Sequence, residues 1–140
     1  MTNTSLADSY LEKAQARLKT LDVLMAERAY SDVVRESQEI IELALKAMLR
    51  QVGVEPPKWH DVGPMLVEHR DRLPEVVAQH VDRLAAISAR LRKDRELAFY
   101  GDIDFIPTER YAVEDASKAR DEARFVVETA SGLIAKRKSG

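Results

Sequence analysis

The chain has 140 residues and a formal net charge of −2, so the molecule as a whole does not attract nucleic acid. This length suffices for one domain, and 45% hydrophobic with 33% charged residues excludes a disordered chain. The absence of cysteine excludes disulfides, thiol nucleophiles and thiolate metal sites. No apolar run reaches the ~20 residues of a membrane span, and the N-terminus lacks a signal core, so we expect a cytoplasmic protein without a membrane partner.

Two long amphipathic helices are predicted in the first part of the chain. In segment 5–29, apolar residues recur at spacings of three and four, which places them on one helical face. Segment 32–52 carries an apolar stripe two residues wide per turn, so this helix should contact at least two neighbours. Gly53 and the prolines that follow it end the second helix.

A short helix and a third long helix are predicted next. Pro64 fits the first turn of a short helix that ends near residues 70–73, because its missing N–H has no partner to lose there. Pro74 is expected to open a long helix, and Gly101 to end it. The loop 102–107 contains apolar residues alternating with acids, and we expect it to pack across one end of the bundle.

The last helix is predicted over about 113–136, with a narrow, alanine-rich stripe that permits close helix approach. The basic tail at about 136–140 is expected to fray. Four long helices and one short one predict an all-α fold, an up-and-down antiparallel bundle. Since no repeat or interdomain linker interrupts the sequence, residues 1–140 are expected to form a single domain.

Candidate phosphate-binding side chains concentrate near the end of the third long helix. Arg92 and Arg95 belong to a basic run that stops at Tyr100-Gly101-Asp102. The planar guanidinium of Arg95 is suited to a phosphate, and Tyr100 could stack on a base. The other interpretation is a solvated helix end, in which the acids on either side of Arg95 neutralise it.

Two charged residues of the second helix extend this candidate set. Glu42 and Lys46 lie four residues apart with the acid first, which is the favoured order for a helical ion pair. They are either an exposed stabilising pair or charges at the edge of the bundle that face a site shared with the helix carrying Arg95.

The histidines do not predict a metal site. His60-Asp61 is interpreted as a loop-to-helix anchor, with Asp61 capping the next helix, because His69 and His80 do not lie at a ligand spacing. Trp59 is expected to cover the end of the bundle or to form a dimer contact. We expect neither a metal nor a cofactor.

Several segments resemble one known family. The run 37–49 (SQEIIELALKAML), followed by 60–63 (HDVG), is similar to the first half of a HEPN domain (higher eukaryotes and prokaryotes nucleotide-binding). Segment 95–102 (RELAFYGD) and segment 107–116 are similar to its second half. The resemblance covers about residues 6–134, nearly the whole chain.

The resemblance implies a bundle of four or five helices that is usually a homodimer. Some members of the family are small helical partners of minimal nucleotidyltransferases. Others are metal-independent RNA endonucleases, often toxins of toxin–antitoxin systems or defence effectors, with an Arg followed after four to six residues by a His in a cleft shared by two copies. In those ribonucleases the His transfers a proton and the Arg balances charge on the phosphate.

This chain departs from the ribonuclease pattern. Arg95 matches the arginine, but the positions after four to six intervening residues are Tyr100, Gly101 and Asp102, and no histidine follows His80. In water, tyrosine titrates near about pH 10 and aspartate near about 3.9, so neither residue type is naturally poised for proton transfer at neutral pH.

Three functions therefore stay open. The sequence favours a non-catalytic HEPN-type module that binds a nucleotide, a nucleotidyltransferase partner protein, or both. An RNA endonuclease with a divergent site is the alternative, supported by the basic stretch Arg83–Arg95, which a symmetric dimer would present twice. A helical scaffold for protein interaction is the third. The candidate nucleotide- or phosphate-binding residues are Arg95, Tyr100, Asp102, Arg92, Glu42 and Lys46.

Overall fold

The computed structural model describes residues 2–58 and 61–139, without the side chains of residues 94–96. All regular structure in these ranges is helical, apart from one isolated bridge between Asp102 and Phe105. The helices are α1 (Asn3–Ala26), α2 (Tyr30–Gln51), α3 (Gly63–Glu68), α4 (Glu75–Ala78), α5 (Val81–Phe99), α6 (Pro107–Arg110) and α7 (Val113–Ser139), with a 3₁₀ turn at Arg70–Arg72. The predicted all-α fold is confirmed, with α1, α2, α5 and α7 as its four long helices. Among the described helices, none is both long enough and apolar enough to cross a membrane.

Polar contacts show that α1 runs antiparallel to both α2 and α7. Near one end of the α1–α2 pair Arg50 donates to Asn3, and further along it Arg17 donates to Glu36. The C-terminal part of α7 lies beside the start of α1, where Arg137 pairs with Asp8. These contacts define the up-and-down bundle.

Helix α2 is the centre of the fold. It packs against α1, α5 and α7, and twelve of its 22 residues are buried. The predicted two-residue stripe explains this burial, since both members of adjacent apolar pairs such as Ile40 with Ile41 and Met48 with Leu49 are fully buried. The prediction that this helix contacts at least two others is confirmed.

The long helix that the sequence predicts from Pro74 onwards is interrupted in the structure. Pro74 does not open a long helix directly, because α4 is a single turn and α5 begins only at Val81. At the break, the His80 amide donates to Val77 three residues back, as in a 3₁₀ turn, and the His80 ring lies against Phe125 of α7. The interruption therefore coincides with a tertiary contact.

Two further expectations differ from the structure. Residues 136–139 of the basic tail, which the sequence places beyond the last helix, lie within α7, where Arg137 bonds Asp8 at 2.6 Å and Gln51 at 2.8 Å. The loop 102–107 packs only in part: Phe105 lies against Tyr111, whereas Ile103 is 91% exposed.

Candidate anion-binding site

Helices α1 and α5 flank the polar face of α2, which consists of Glu36, Glu39, Glu42 and Lys46. Glu36 accepts a hydrogen bond from Arg17 of α1 at 2.6 Å, on one side of this face. Glu42 contacts α5 on the other side. Each of these four α2 residues is half-buried rather than fully exposed, because the flanking helices shield them.

Three of the candidate residues meet at one point, and we call them the Glu42 cluster: Glu42, Lys46 and Arg92. Arg92 Nη1 of α5 donates to Glu42 Oε1 at 3.3 Å, and Lys46 Nζ lies 3.9 Å from the same oxygen. The Glu42 side chain is 17% exposed and that of Arg92 is 30% exposed. Two cations thus share one carboxylate oxygen, in a position that solvent still reaches.

The sequence did not identify the second ion pair on this face. Arg17 and Glu36 come from different helices, and no local spacing relates them. The pKa of Arg17 is raised, chiefly because its side chain donates a hydrogen bond to Glu36. The Arg17 guanidinium is therefore a fixed positive charge beside the acids of α2.

Tyr100 lies on an exposed aromatic surface at the end of α5. Its side chain is 75% exposed and meets Phe99 edge to face, with ring centroids 4.6 Å apart. The Arg35 guanidinium of α2 covers Phe99 from 4.2 Å. An exposed ring held beside a second ring and a cation suits stacking with a planar group.

Asp102 and Gly101 fix the turn that follows Tyr100. The Asp102 backbone exchanges two hydrogen bonds of 2.9 Å with Phe105, and its carboxylate accepts from the Ile103 amide at 2.7 Å. Gly101 has φ +73°, and a Cβ there would lie 2.5 Å from the Phe105 carbonyl oxygen and 2.6 Å from Pro107 Cδ. Only glycine fits this position. The turn that Gly101 forms therefore sets the position of Tyr100, the residue directly before it.

The structure separates the candidate residues into two groups. The Glu42 cluster lies about 10 Å along α2 from Arg35 and the aromatic surface, since seven residues at about 1.5 Å each separate Glu42 from Arg35. Position 95 falls on α5 between Arg92 and Tyr100, and its side chain lies outside the described residues. One small anion cannot contact both groups.

The proposed anchor at the start of α3 is only partly visible. Asp61 Oδ1 accepts from the Gly63 amide at 3.1 Å and from Ser88 Oγ of α5 at 2.8 Å, so Asp61 bonds the first amide of α3 and links it to α5. The N-cap residue itself is Val62, not Asp61 as predicted, and it has no side-chain capping bond. Trp59 and His60 lie outside the described residues, so the interpretations given for them stay predictions. Within 2–58 and 61–139, no group of three or more potential metal-ligating side chains was found.

Comparison with models of protein families identifies one family that covers nearly the whole chain. The family model described as HEPN domain matches residues 7–136, nearly the full length. Comparisons with curated proteins and with solved structures gave no match. The match spans α1 and α2 as well as the α5 segment that ends at the aromatic surface. The chain therefore belongs to the HEPN domain family.

Proposed function

We propose that this protein is a non-catalytic HEPN-type module that binds the phosphate of a nucleotide at the Glu42 cluster. The observation that carries the proposal is that Arg92 and Lys46, from two different helices, share a single carboxylate oxygen. The three formal charges sum to +1. An incoming phosphate would meet two cations on a partly shielded surface, beside the other acids of α2.

Binding would proceed by exchange of partners. The Arg92 guanidinium has five N–H donors, and a phosphate can accept two of them side by side. Glu42 holds Arg92 and Lys46 in place before binding and competes with the phosphate afterwards. Because Glu42 and Arg92 are not fully buried, the exchange does not require the bundle to open.

Tyr100 and Arg95 would extend the site towards the base. The ~10 Å between the two groups, taken from the helical rise, favours a ligand that carries both a phosphate and a planar base over inorganic phosphate alone. In this arrangement Tyr100 stacks on the base and Arg95, on the helix between the two groups, contacts a further phosphate oxygen. Asp102 supports the turn that positions Tyr100.

The proposed partners follow from the family. A homodimer and a complex with a minimal nucleotidyltransferase are the assemblies that the family suggests for such a module. A nucleotidyltransferase would supply the catalytic groups, and this chain would supply a nucleotide-binding surface beside them. Co-purification with a nucleotidyltransferase from the same host would support the second assembly.

Calorimetric titration with ATP tests the binding site. We expect a dissociation constant in the millimolar range or tighter, corresponding to about −4 kcal/mol or more. Arg92→Ala should weaken binding at least tenfold, since it removes the main phosphate donor. Arg124→Ala is the matched control, because Arg124 of α7 is also an arginine that pairs with an acid of another helix, Asp22 of α1. No heat with any nucleoside triphosphate would leave a protein-interaction scaffold as the function.

Incubation with total RNA tests the absence of catalysis. We expect no cleavage above that of buffer, because the chain has no histidine after His80 to transfer protons near Arg95. Cleavage that persists after repurification and disappears in Arg95→Ala would overturn this part of the proposal and assign a metal-independent RNA endonuclease instead.

A further inference from the structure

A turn with an exposed isoleucine at its tip connects α5 to α6. Of the eight large hydrophobic side chains that are exposed in the described part of the chain, five lie within 99–113. Two of these five form the aromatic surface, and the other three are Ile103, Ile106 and Val113, of which Ile103 is 91% exposed. Such a concentration of exposed apolar side chains in one short segment is typical of an interaction surface.

The contacts of the turn hold Ile103 in place. The two backbone hydrogen bonds between Asp102 and Phe105 close the turn, so that Ile103 lies at its tip. At its base the Phe105 ring lies against Tyr111, with ring centroids 5.7 Å apart, and the Arg110 guanidinium covers the Phe105 ring from 4.8 Å. Because the backbone is already ordered, a partner that covers Ile103 does not have to order a loop first.

The surface around Ile103 is acidic. Segment 102–115 contains five acidic residues and one arginine, and all five acids are exposed. Asp102 and Asp104 directly flank Ile103, and the Asp104 carboxylate has no hydrogen-bond or ion-pair partner among the described residues. Negative charge of this kind repels nucleic acid and anionic lipid, and it attracts a basic protein surface.

The same charge disfavours a second copy of the chain as the occupant. In a two-fold contact made by this turn, the acids that flank Ile103 in one copy would face those of the other copy. Like charges that face each other across an interface oppose association. The surface that complements the turn is therefore apolar and concave at its centre and basic at its rim.

We infer that the turn docks into a different protein, with Ile103 in an apolar pocket and Asp104 beside lysine or arginine side chains at the rim of that pocket. Burial of the isoleucine supplies affinity, and the acid selects a partner with a basic rim. Ile103 and Asp104 belong neither to the Glu42 cluster nor to the aromatic surface. The inference therefore does not rest on the proposed nucleotide site.

Photo-crosslinking from position 103 in cells of the host tests the contact. Ile103 is replaced by p-benzoylphenylalanine in the full chain, and the crosslinked peptide is identified by mass spectrometry. We expect one major adduct with another protein, at a segment in which apolar residues lie beside lysine or arginine. Adding Asp104→Lys should lower the yield by about tenfold or more, and Asp104→Asn should lower it less. The same crosslinker at Val76, an exposed aliphatic position of α4, is the matched control and should not give this adduct.

Binding of the crosslinked protein to purified variants then separates docking from folding and from nucleotide binding. Ile103→Ser should weaken binding by about tenfold or more, whereas Val76→Ser should not. Both variants should unfold at the same urea concentration as the wild type and keep its response to ATP, because both side chains are exposed. No adduct from position 103, an adduct with a second copy, a crosslinked segment without cationic residues, a yield that Asp104→Lys leaves unchanged, or unchanged binding by Ile103→Ser would each overturn the inference.

Discussion

Glu42→Gln separates the two roles assigned to Glu42. The substitution keeps the size of the side chain and an acceptor oxygen for Arg92 and Lys46, but it removes the negative charge. The local charge of the cluster rises from +1 to +2. We expect the protein to lose a little stability and to bind nucleotide more tightly, two changes of opposite direction from one substitution.

The magnitudes follow from the geometry. Each half-exposed ion pair contributes about 0.2–1 kcal/mol, so the loss of both pairs should cost about 1 kcal/mol of unfolding free energy. A phosphate charge bound to Arg92 would lie about 5 Å from the Glu42 carboxylate. Two like charges at that distance repel by about 0.8 kcal/mol in bulk water and about 3 kcal/mol at an effective dielectric constant of about 20. Removing this repulsion should tighten binding at least about fourfold.

Urea unfolding and ATP calorimetry on the same preparations measure both quantities. Glu36→Gln is the matched control, because Glu36 is also a half-buried acid of α2 that pairs with an arginine of a neighbouring helix. It should show a similar loss of stability, while its effect on ATP affinity should be smaller, since it lies about six residues away along α2. If Glu42→Gln weakens ATP binding or leaves it unchanged, the phosphate does not lie beside Glu42.

Three stability predictions concern the frame around the site, each measured by urea unfolding with an unchanged m value. Gly101→Ala should cost about 1–3 kcal/mol, because it combines a positive φ with a Cβ clash, whereas Gly53→Ala, with φ +80° but open space, should cost less. Met48→Ala should cost about 2–5 kcal/mol, because Met48 is fully buried on α2; a cost below about 1 kcal/mol would contradict the central position of that helix. Asp61→Ala and Ser88→Ala should be non-additive, with a coupling of about 0.5–1.5 kcal/mol, and additive effects would contradict the hydrogen bond between them.

The pattern of apolar residues was sufficient to predict the long helices. In α2, the pairs at 33–34, 40–41, 44–45 and 48–49 all became buried, and the width of the stripe predicted more than one neighbour. The break between α4 and α5 was not predictable in the same way. The break falls at Gln79 and His80, and neither of these residues is a glycine or proline that would signal it. It coincides with the contact between His80 and Phe125 of α7, two residues that only folding brings together.

The same distinction applies to the candidate site: its contact within one helix was predictable from the sequence, whereas its contacts between helices were not. Glu42 with Lys46 is a local pair that the spacing of four residues predicts, and both belong to the observed cluster. The contacts of Arg92 with Glu42 and of Arg17 with Glu36 depend on the register between helices, which periodicity does not encode. For Tyr100, the glycine that follows was a usable signal: a positive φ ends α5 and leaves the ring exposed at its end.

The arrangement of charge favours binding over chemistry. Cleavage of RNA at a phosphate needs one group that takes a proton from the attacking hydroxyl. It also needs a group that stabilises the negative charge developing on the phosphate. The Glu42 cluster offers the second function through Arg92 and Lys46. The first would fall to an imidazole near Arg95, and the chain has only Tyr100, Gly101 and Asp102 at the corresponding positions. Since general acid–base catalysis is worth about 10²–10⁴-fold, a site with the cations but without the imidazole would lose most of its rate, which is why we propose phosphate binding rather than RNA cleavage.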